Sequence, residues 1–133
     1  MSTLKVNTLQ DASGGNSSTA EQIAQGRAKQ WLNFDGYNNS IRDSFGVSSV
    51  TDEGTGQYRI NFSTAYANTN YSWSGTASTA TSTRNTGRVV CQFATNQTTS
   101  NNLLKTDSCS VKSMQISNAI NDTDFLYFQA YGD

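Results

Sequence analysis

The chain has 133 residues, a formal net charge of −1, and a composition that is 35% hydrophobic, 11% aromatic and only 14% charged, with no histidine and no proline. That length suits one domain with a core of its own. The scattered basic residues exclude an electrostatic footprint for nucleic acid. No apolar run approaches the roughly 20 residues of a membrane-spanning helix.

Ser, Thr, Asn and Gly fill the space left by charged residues, which points to β-structure with hydroxyl- and amide-bearing exposed faces. The opening MSTLKVNTLQDASGG lacks the basic flank and apolar segment of a secretory signal, so synthesis in a cytosol and free thiols at Cys91 and Cys109, rather than a disulfide, are expected. Residues 2–10 alternate loosely, with Leu4 and Val6 on one parity and Leu9 on the other. An isolated short strand ahead of the turn-rich DASGGNSST cannot stabilise itself, and must lie on the domain or pair with another chain. Ser18-Thr19-Ala20-Glu21 has the S-x-x-E form of a capping box, and Gly26 stands where a helix-ending glycine belongs. About two helical turns follow, with Ile23 as the apolar residue expected to dock them.

After Gly26 every periodic segment reads as a strand. AKQWLNF (28–34) turns Leu32 and Phe34 inward and leaves Trp31 on the other parity. SIRDSFGVSSV (40–50) places Ile41, Phe45 and Val47 on one face, and QYRINF (57–62) places Tyr58, Ile60 and Phe62 inward. NYSWSGTAS (70–78) contributes Tyr71, Trp73 and Ala77, and RVVCQFA (88–94) contributes Val89, Cys91 and Phe93. SCSVKSMQIS (108–117) begins with Cys109 and Val111 and then switches parity to Met114 and Ile116, the pattern of a bulge. DFLYFQAYG (124–132) is apolar on both faces, as in a strand covered on both sides or lying at a subunit interface. The turn clusters between these strands, with no long helix, predict an all-β fold: an antiparallel β-sandwich, jelly-roll-like or Ig-like, with an extended N-terminal segment and one short α-helix. The expected division is an N-terminal strand, linker and helix over 1–26 and a sandwich over 27–133.

Chemistry-bearing constellations are sparse. Without histidine the commonest general acid/base and metal ligand are gone, with every Ser–His or Cys–His nucleophile pair. The acidic pairs Asp52/Glu53 and Asp122/Asp124 lie in turn-forming segments where carboxylates bond nearby backbone. Asn121-Asp122-Thr123-Asp124 lacks the glycine and distal glutamate of an EF-hand loop. No catalytic residue, metal or cofactor is therefore expected. Exposed aromatics beside amide-rich loops are the better functional lead, because a ring can stack on the apolar face of a pyranose while amides bond its hydroxyls. Tyr37 and Tyr66 fit that description, whereas Tyr71 and Trp73 share a face and suit the core.

GRAKQWLNFDG (26–36), IRDSFGVSSVTDEGTGQYRINF (41–62) and the AYANTNYSW that follows resemble segments of bacteriophage tail-fibre and related virion appendage proteins, particularly those of marine phages. The opening STLKVNTLQDASGG resembles their N-terminal segment. The likeness spans about residues 2–75, with glycine at position 46 where asparagine is commoner and leucine at position 32 as a mild apolar change. The resemblance implies a β-sandwich, a homotrimer and an adhesive or structural role on the virion, made in the cytoplasm of a host bacterium and carried on the tail or particle surface. Its partners would be other phage tail or capsid proteins and a host surface glycan or protein receptor. On this reading Leu4, Val6, Leu9, Ile23, Trp31, Phe125 and Tyr127 serve attachment or oligomerisation, Trp31 packing under the helix or against a neighbouring subunit. Tyr37, Tyr66, Arg84, Asn96 and Asn101 are the candidate receptor contacts. The alternative is a capsid decoration or tail adaptor protein with a purely structural role.

Overall fold

A computed structural model describes residues 2–15, 17–79, 88–92, 104–115 and 119–132. At its N-terminal end two short strands, β1 (Thr8–Leu9) and β2 (Ser18–Thr19), pair antiparallel and lead into one helix, α1 (Ala20–Gly26). The helix is capped one residue later than the S-x-x-E pattern predicts. Ser18 is engaged in the β1–β2 pair, so Thr19 takes the N-cap position. Its hydroxyl accepts the Gln22 amide (3.1 Å) and the Gln22 side chain accepts the Thr19 amide (2.8 Å), a reciprocal T-x-x-Q box. Gly26 remains inside the helix, with extended Arg27 ending it. Ile23 does not dock: it is 47% exposed, and no helical residue is buried.

Among the described residues eight strands form the sandwich. β3 (Gln30–Asp35), β4 (Ser40–Phe45), β7 (Ser72–Ser78) and β10 (Phe125–Tyr131) make one antiparallel sheet in the order β4-β3-β10-β7. β5 (Val47–Gly54), β6 (Gln57–Phe62), β8 (Arg88–Gln92) and β9 (Ser108–Gln115) make the other in the order β5-β6-β9-β8. The predicted all-β sandwich with one short helix is thus the observed fold. Leu32, Phe34, Leu126, Phe128 and Ala130 from the first sheet meet Tyr58, Ile60, Phe62, Cys109 and Val111 from the second. Edge-to-face contacts such as Phe34–Tyr58, with centroids 5.1 Å apart, bridge the layers. At one end of the core Tyr66 and Tyr71 stack at 4.3 Å, and the Tyr71 hydroxyl lies 3.1 Å from the Lys105 and Ser108 carbonyl oxygens.

Three assignments differ from the periodicity. SIRDSFGVSSV is not one strand, because Gly46 adopts φ +70° and sends the chain from the first sheet to the second. A Cβ there would collide with the Lys29 carbonyl oxygen, so glycine serves both the left-handed turn and the close approach. Before this break Ile41 and Phe45 lie on an edge strand, and Phe45 is 55% exposed instead of buried. In β8 the inward residue is Val90, which packs on the core, while Val89 is exposed; Phe93 lies outside the described residues. β9 keeps its parity without a bulge: Cys109, Val111 and Ser113 all point inward, Met114 points outward beside Cys91, and Ile116 lies outside the described residues. A fully buried serine does not resemble a core position, so its place in the alternation is hidden in the sequence.

Both cysteines are free thiols. Cys109 is buried in the core, whereas Cys91, paired with Lys112, faces the other side of the same sheet and is half-buried. Burial pushes the Cys109 thiol up to about 12.

The segment before β10 closes the end of the sandwich. Asp122 Oδ1 accepts the Gly56 amide (2.6 Å) and the Tyr58 hydroxyl (2.9 Å). The Gly36 amide donates to the Thr123 carbonyl (2.8 Å), the Ser113 amide donates to the Gly56 carbonyl (2.8 Å), and the Thr123 hydroxyl donates to the Ser78 carbonyl (2.5 Å). Gly56 sits at φ +63° with its Cα facing Asn121, where a Cβ would lie 2.5 Å from the backbone oxygen. The Gly54-Thr55-Gly56 turn is accordingly pinned to the segment that leads into β10.

Gly56→Ala is expected to lower the unfolding free energy by about 1–3 kcal/mol through strain and collision, while Gly26→Ala, with open space around it, stays within about 0.5 kcal/mol of the parent. Urea unfolding of both variants checks the contrast. Asp122→Ala should cost about 1–3 kcal/mol by leaving buried donors without an acceptor, and Asp122→Asn, which retains an acceptor oxygen, should cost less.

Candidate functional site

Because Leu32 and Phe128 point inward, period-two alternation turns their neighbours on β3 and β10 outward. The register aligns these outward residues in rows across the sheet. One row runs Phe45, Trp31, Gln129, Ser74; the next runs Asp43, Asn33, Tyr127, Thr76. Trp31 and Tyr127, 38% and 42% exposed, stand in adjacent rows on the two central strands. Between them and the hydroxyls of β7 is a shallow groove of about 500 Å³, lined by Trp31, Asn33, Ser74, Thr76, Tyr127 and Gln129 with backbone beneath. The Gln129 side-chain amide donates to the Ser74 hydroxyl (3.1 Å). The Asn33 amide oxygen is buried and has no hydrogen-bond partner.

Beyond the groove the same face carries a polar clamp. The Asp35 carboxylate accepts the amides of Tyr37 and Asn38 (both 3.1 Å), the Asn38 side-chain amide (3.0 Å) and the Arg42 guanidinium (2.6 Å). Arg42 also reaches the Asp124 carbonyl and stacks over the Phe125 ring, 4.4 Å from its centroid. Phe125 in turn lies parallel to Tyr127, with centroids 6.2 Å apart. The Asn38 bonds, helped by Arg42 and opposed by burial, hold the Asp35 carboxyl below its usual range.

The predicted site residues separate into groups. Leu4, Val6 and Leu9 are exposed on the N-terminal segment, Leu4 at 82%, with Ile23 beyond them on the helix. Trp31 lines the groove with Tyr127, and Phe125 is half-buried beneath Arg42. Tyr37 is exposed in the β3–β4 turn. Tyr66 is corrected as a receptor contact: it is only 4% exposed, stacked on Tyr71, edge-on to Phe62 and bonded through its hydroxyl to Gln30. Lys29 lies 5.8 Å over its ring. Its position in an amide-rich loop concealed this, because the loop folds back onto the core. Near that loop the helix residue Gln25 joins Asn68, Asn70, Ser72 and Tyr131 around a polar hollow of about 400 Å³. Arg84, Asn96 and Asn101 lie outside the described residues.

Sequence reasoning assigned Trp31 and Tyr127 to contacts between chains and overlooked Asn33, Ser74, Thr76 and Gln129. Those four share no motif; only the pairing of three strands brings them together. The acidic pairs are occupied by structural bonds: Asp52 accepts the Gly54 amide (2.8 Å), Glu53 pairs with Arg59 (2.9 Å) and Asp122 holds Gly56 and Tyr58. Among the described residues no helix is long and apolar enough to cross a membrane. No protein-family model, curated protein or solved structure matches the chain.

The depressed Asp35 carboxyl stabilises the fold at neutral pH, and that contribution is lost as pH falls below about 4, the unfolded value, through the folded pKa. Urea unfolding between pH 7 and pH 3 is expected to show stability falling more steeply in the parent than in Asp35→Asn, which is itself less stable at pH 7.

Proposed function

We propose that this protein is a bacteriophage virion structural protein, a short tail fibre or fibre-like appendage that assembles as a homotrimer and attaches to the host cell surface without catalysing a reaction. The observation that carries this reading is the contrast between the two parts of the chain. From residue 2 to residue 27 the described residues are exposed apart from half-buried Ser18, although Leu4, Val6, Leu9 and Ile23 are apolar. Burying such residues against other copies is favourable at about 25 cal/mol per Å² of apolar surface. Three chains contributing the same segment would cover these side chains mutually and give the helix the tertiary support that seven residues lack.

The sandwich supplies the other half of the role. Its exposed side chains are largely hydroxyls and amides, suited to weak reversible contacts that three copies multiply into useful avidity. The commitment of Asp52, Glu53 and Asp122 to structural bonds supports a non-enzymatic reading. The likeness of GRAKQWLNFDG and the following segments to phage appendage proteins supports the virion assignment.

Sedimentation of the full chain at micromolar concentration is expected to give the mass of three copies. A double variant, Leu4→Asp with Val6→Asp, should sediment as a monomer while its circular dichroism stays that of a folded sandwich. A folded monomeric parent contradicts the trimer. Immunogold labelling of phage particles with antibody against the chain should mark the tail or particle surface, and unlabelled particles contradict the virion assignment.

A further inference from the structure

We propose that the groove between Trp31 and Tyr127 is a binding site for a neutral saccharide chain. This names the ligand class of the attachment role above and rests on that reading. Both half-exposed rings lie on the central strands of the first sheet and bound the same hollow of about 500 Å³. The C–H face of a pyranose is apolar and the rim of the ring carries hydroxyls, so its receptor needs an aromatic face and amide or hydroxyl groups together. The groove offers that combination: rings from Trp31 and Tyr127, amides from Asn33 and Gln129, hydroxyls from Ser74 and Thr76.

The lining also selects against other ligand chemistries. It contains no Lys or Arg, so an anionic ligand would lose hydration without meeting an opposite charge, and the carboxylate of Asp43 stands only at its edge, beside Asn33. A purely apolar tail would cover amides and hydroxyls that need partners. A second copy of this protein would face the same difficulty, burying the amides and hydroxyls of its own groove in the contact. Preorganisation favours the same conclusion. Asn33 and Tyr127 are register partners in the middle of a four-stranded sheet, the Gln129 side chain is bonded to Ser74, and the Tyr127 ring is backed by Phe125 under Arg42.

The test is native affinity electrophoresis of the purified full chain through gels containing dextran, galactomannan or mixed-linkage β-glucan, with anionic alginate as the comparison. Retardation by at least one neutral polysaccharide is expected, together with protection of tryptophan fluorescence from acrylamide quenching in the parent but not in Trp31→Phe, which keeps only Trp73. Trp31→Ala and Tyr127→Ala should each weaken the retardation about tenfold or more, Trp31→Phe should keep part of it, and Tyr37→Ala should leave it unchanged. If Trp31→Ala does not fold, Tyr127→Ala and Trp31→Phe carry the same comparison. No retardation by the neutral gels, retardation by alginate alone, or equal retardation of parent and groove variants overturns the proposal. So does a fall in sedimenting mass on Tyr127→Ala, which would make this face a subunit interface. Labelled virions with no polysaccharide binding would sink the groove site and leave the appendage reading standing; polysaccharide binding with unlabelled virions would do the reverse.

Discussion

The structure depends on one carboxylate and the residue after it. Asp122 holds the β5–β6 turn through Gly56 and the start of β6 through Tyr58, while Thr123 takes the β3–β4 turn through Gly36 and the end of β7 through Ser78. Two turns from different sheets and the end of a third strand therefore converge on two consecutive residues. Backbone groups at strand ends have no ladder partner, and buried ones must find another. Here they find it in the segment that leads directly into β10.

That convergence explains two glycines and one tyrosine at once. Gly36 lies where a Cβ would collide with the Tyr58 hydroxyl, and Gly56 lies against the Asn121 backbone. Tyr58 is fully buried, its hydroxyl satisfied by a carboxylate, and burial with that neighbouring charge raises its pKa far above the ordinary phenol range. Placing β10 in this way sets its pairing with β3, from Leu126 opposite Phe34 to Ala130 opposite Gln30. The same register that buries Leu126 and Phe128 turns Tyr127 and Gln129 toward solvent beside Trp31 and Asn33. Core and groove are two faces of one alignment, since a slip by one residue would exchange them.

The outer face shows how a low-charge protein can present a defined surface. Its polar and charged groups are divided in space: Asp35, Asn38 and Arg42 form a bonded cluster at one end, whereas the groove itself is lined by rings, amides and hydroxyls. Arg42 covers Phe125 but stops short of Tyr127, leaving one aromatic residue capped and the next open. The N-terminal segment has the opposite character, with exposed apolar side chains and no buried residue among those described.

Much of the fold is legible in the residues alone, because a strand with one buried face must alternate. QYRINF and the Leu32/Phe34 pair announce their orientation, and the absence of proline and of any long helical period leaves an antiparallel β fold as the economical solution. Other features are hidden for identifiable reasons. Ser113 occupies a core position without an apolar side chain, Gly46 divides one apparent strand into two, and Tyr66 reaches the core from a loop that composition marks as exposed. The short helix is visible in its capping pattern, but two overlapping patterns compete, and only the pairing of Ser18 with Leu9 leaves Thr19 as the cap. The sequence by itself determined which residues alternate and therefore which side chains a sheet would bury. Only the tertiary structure decided that Trp31, Asn33, Ser74, Thr76, Tyr127 and Gln129 share one groove, because strands distant in sequence come together through hydrogen-bond register, which alternation within a single strand does not encode.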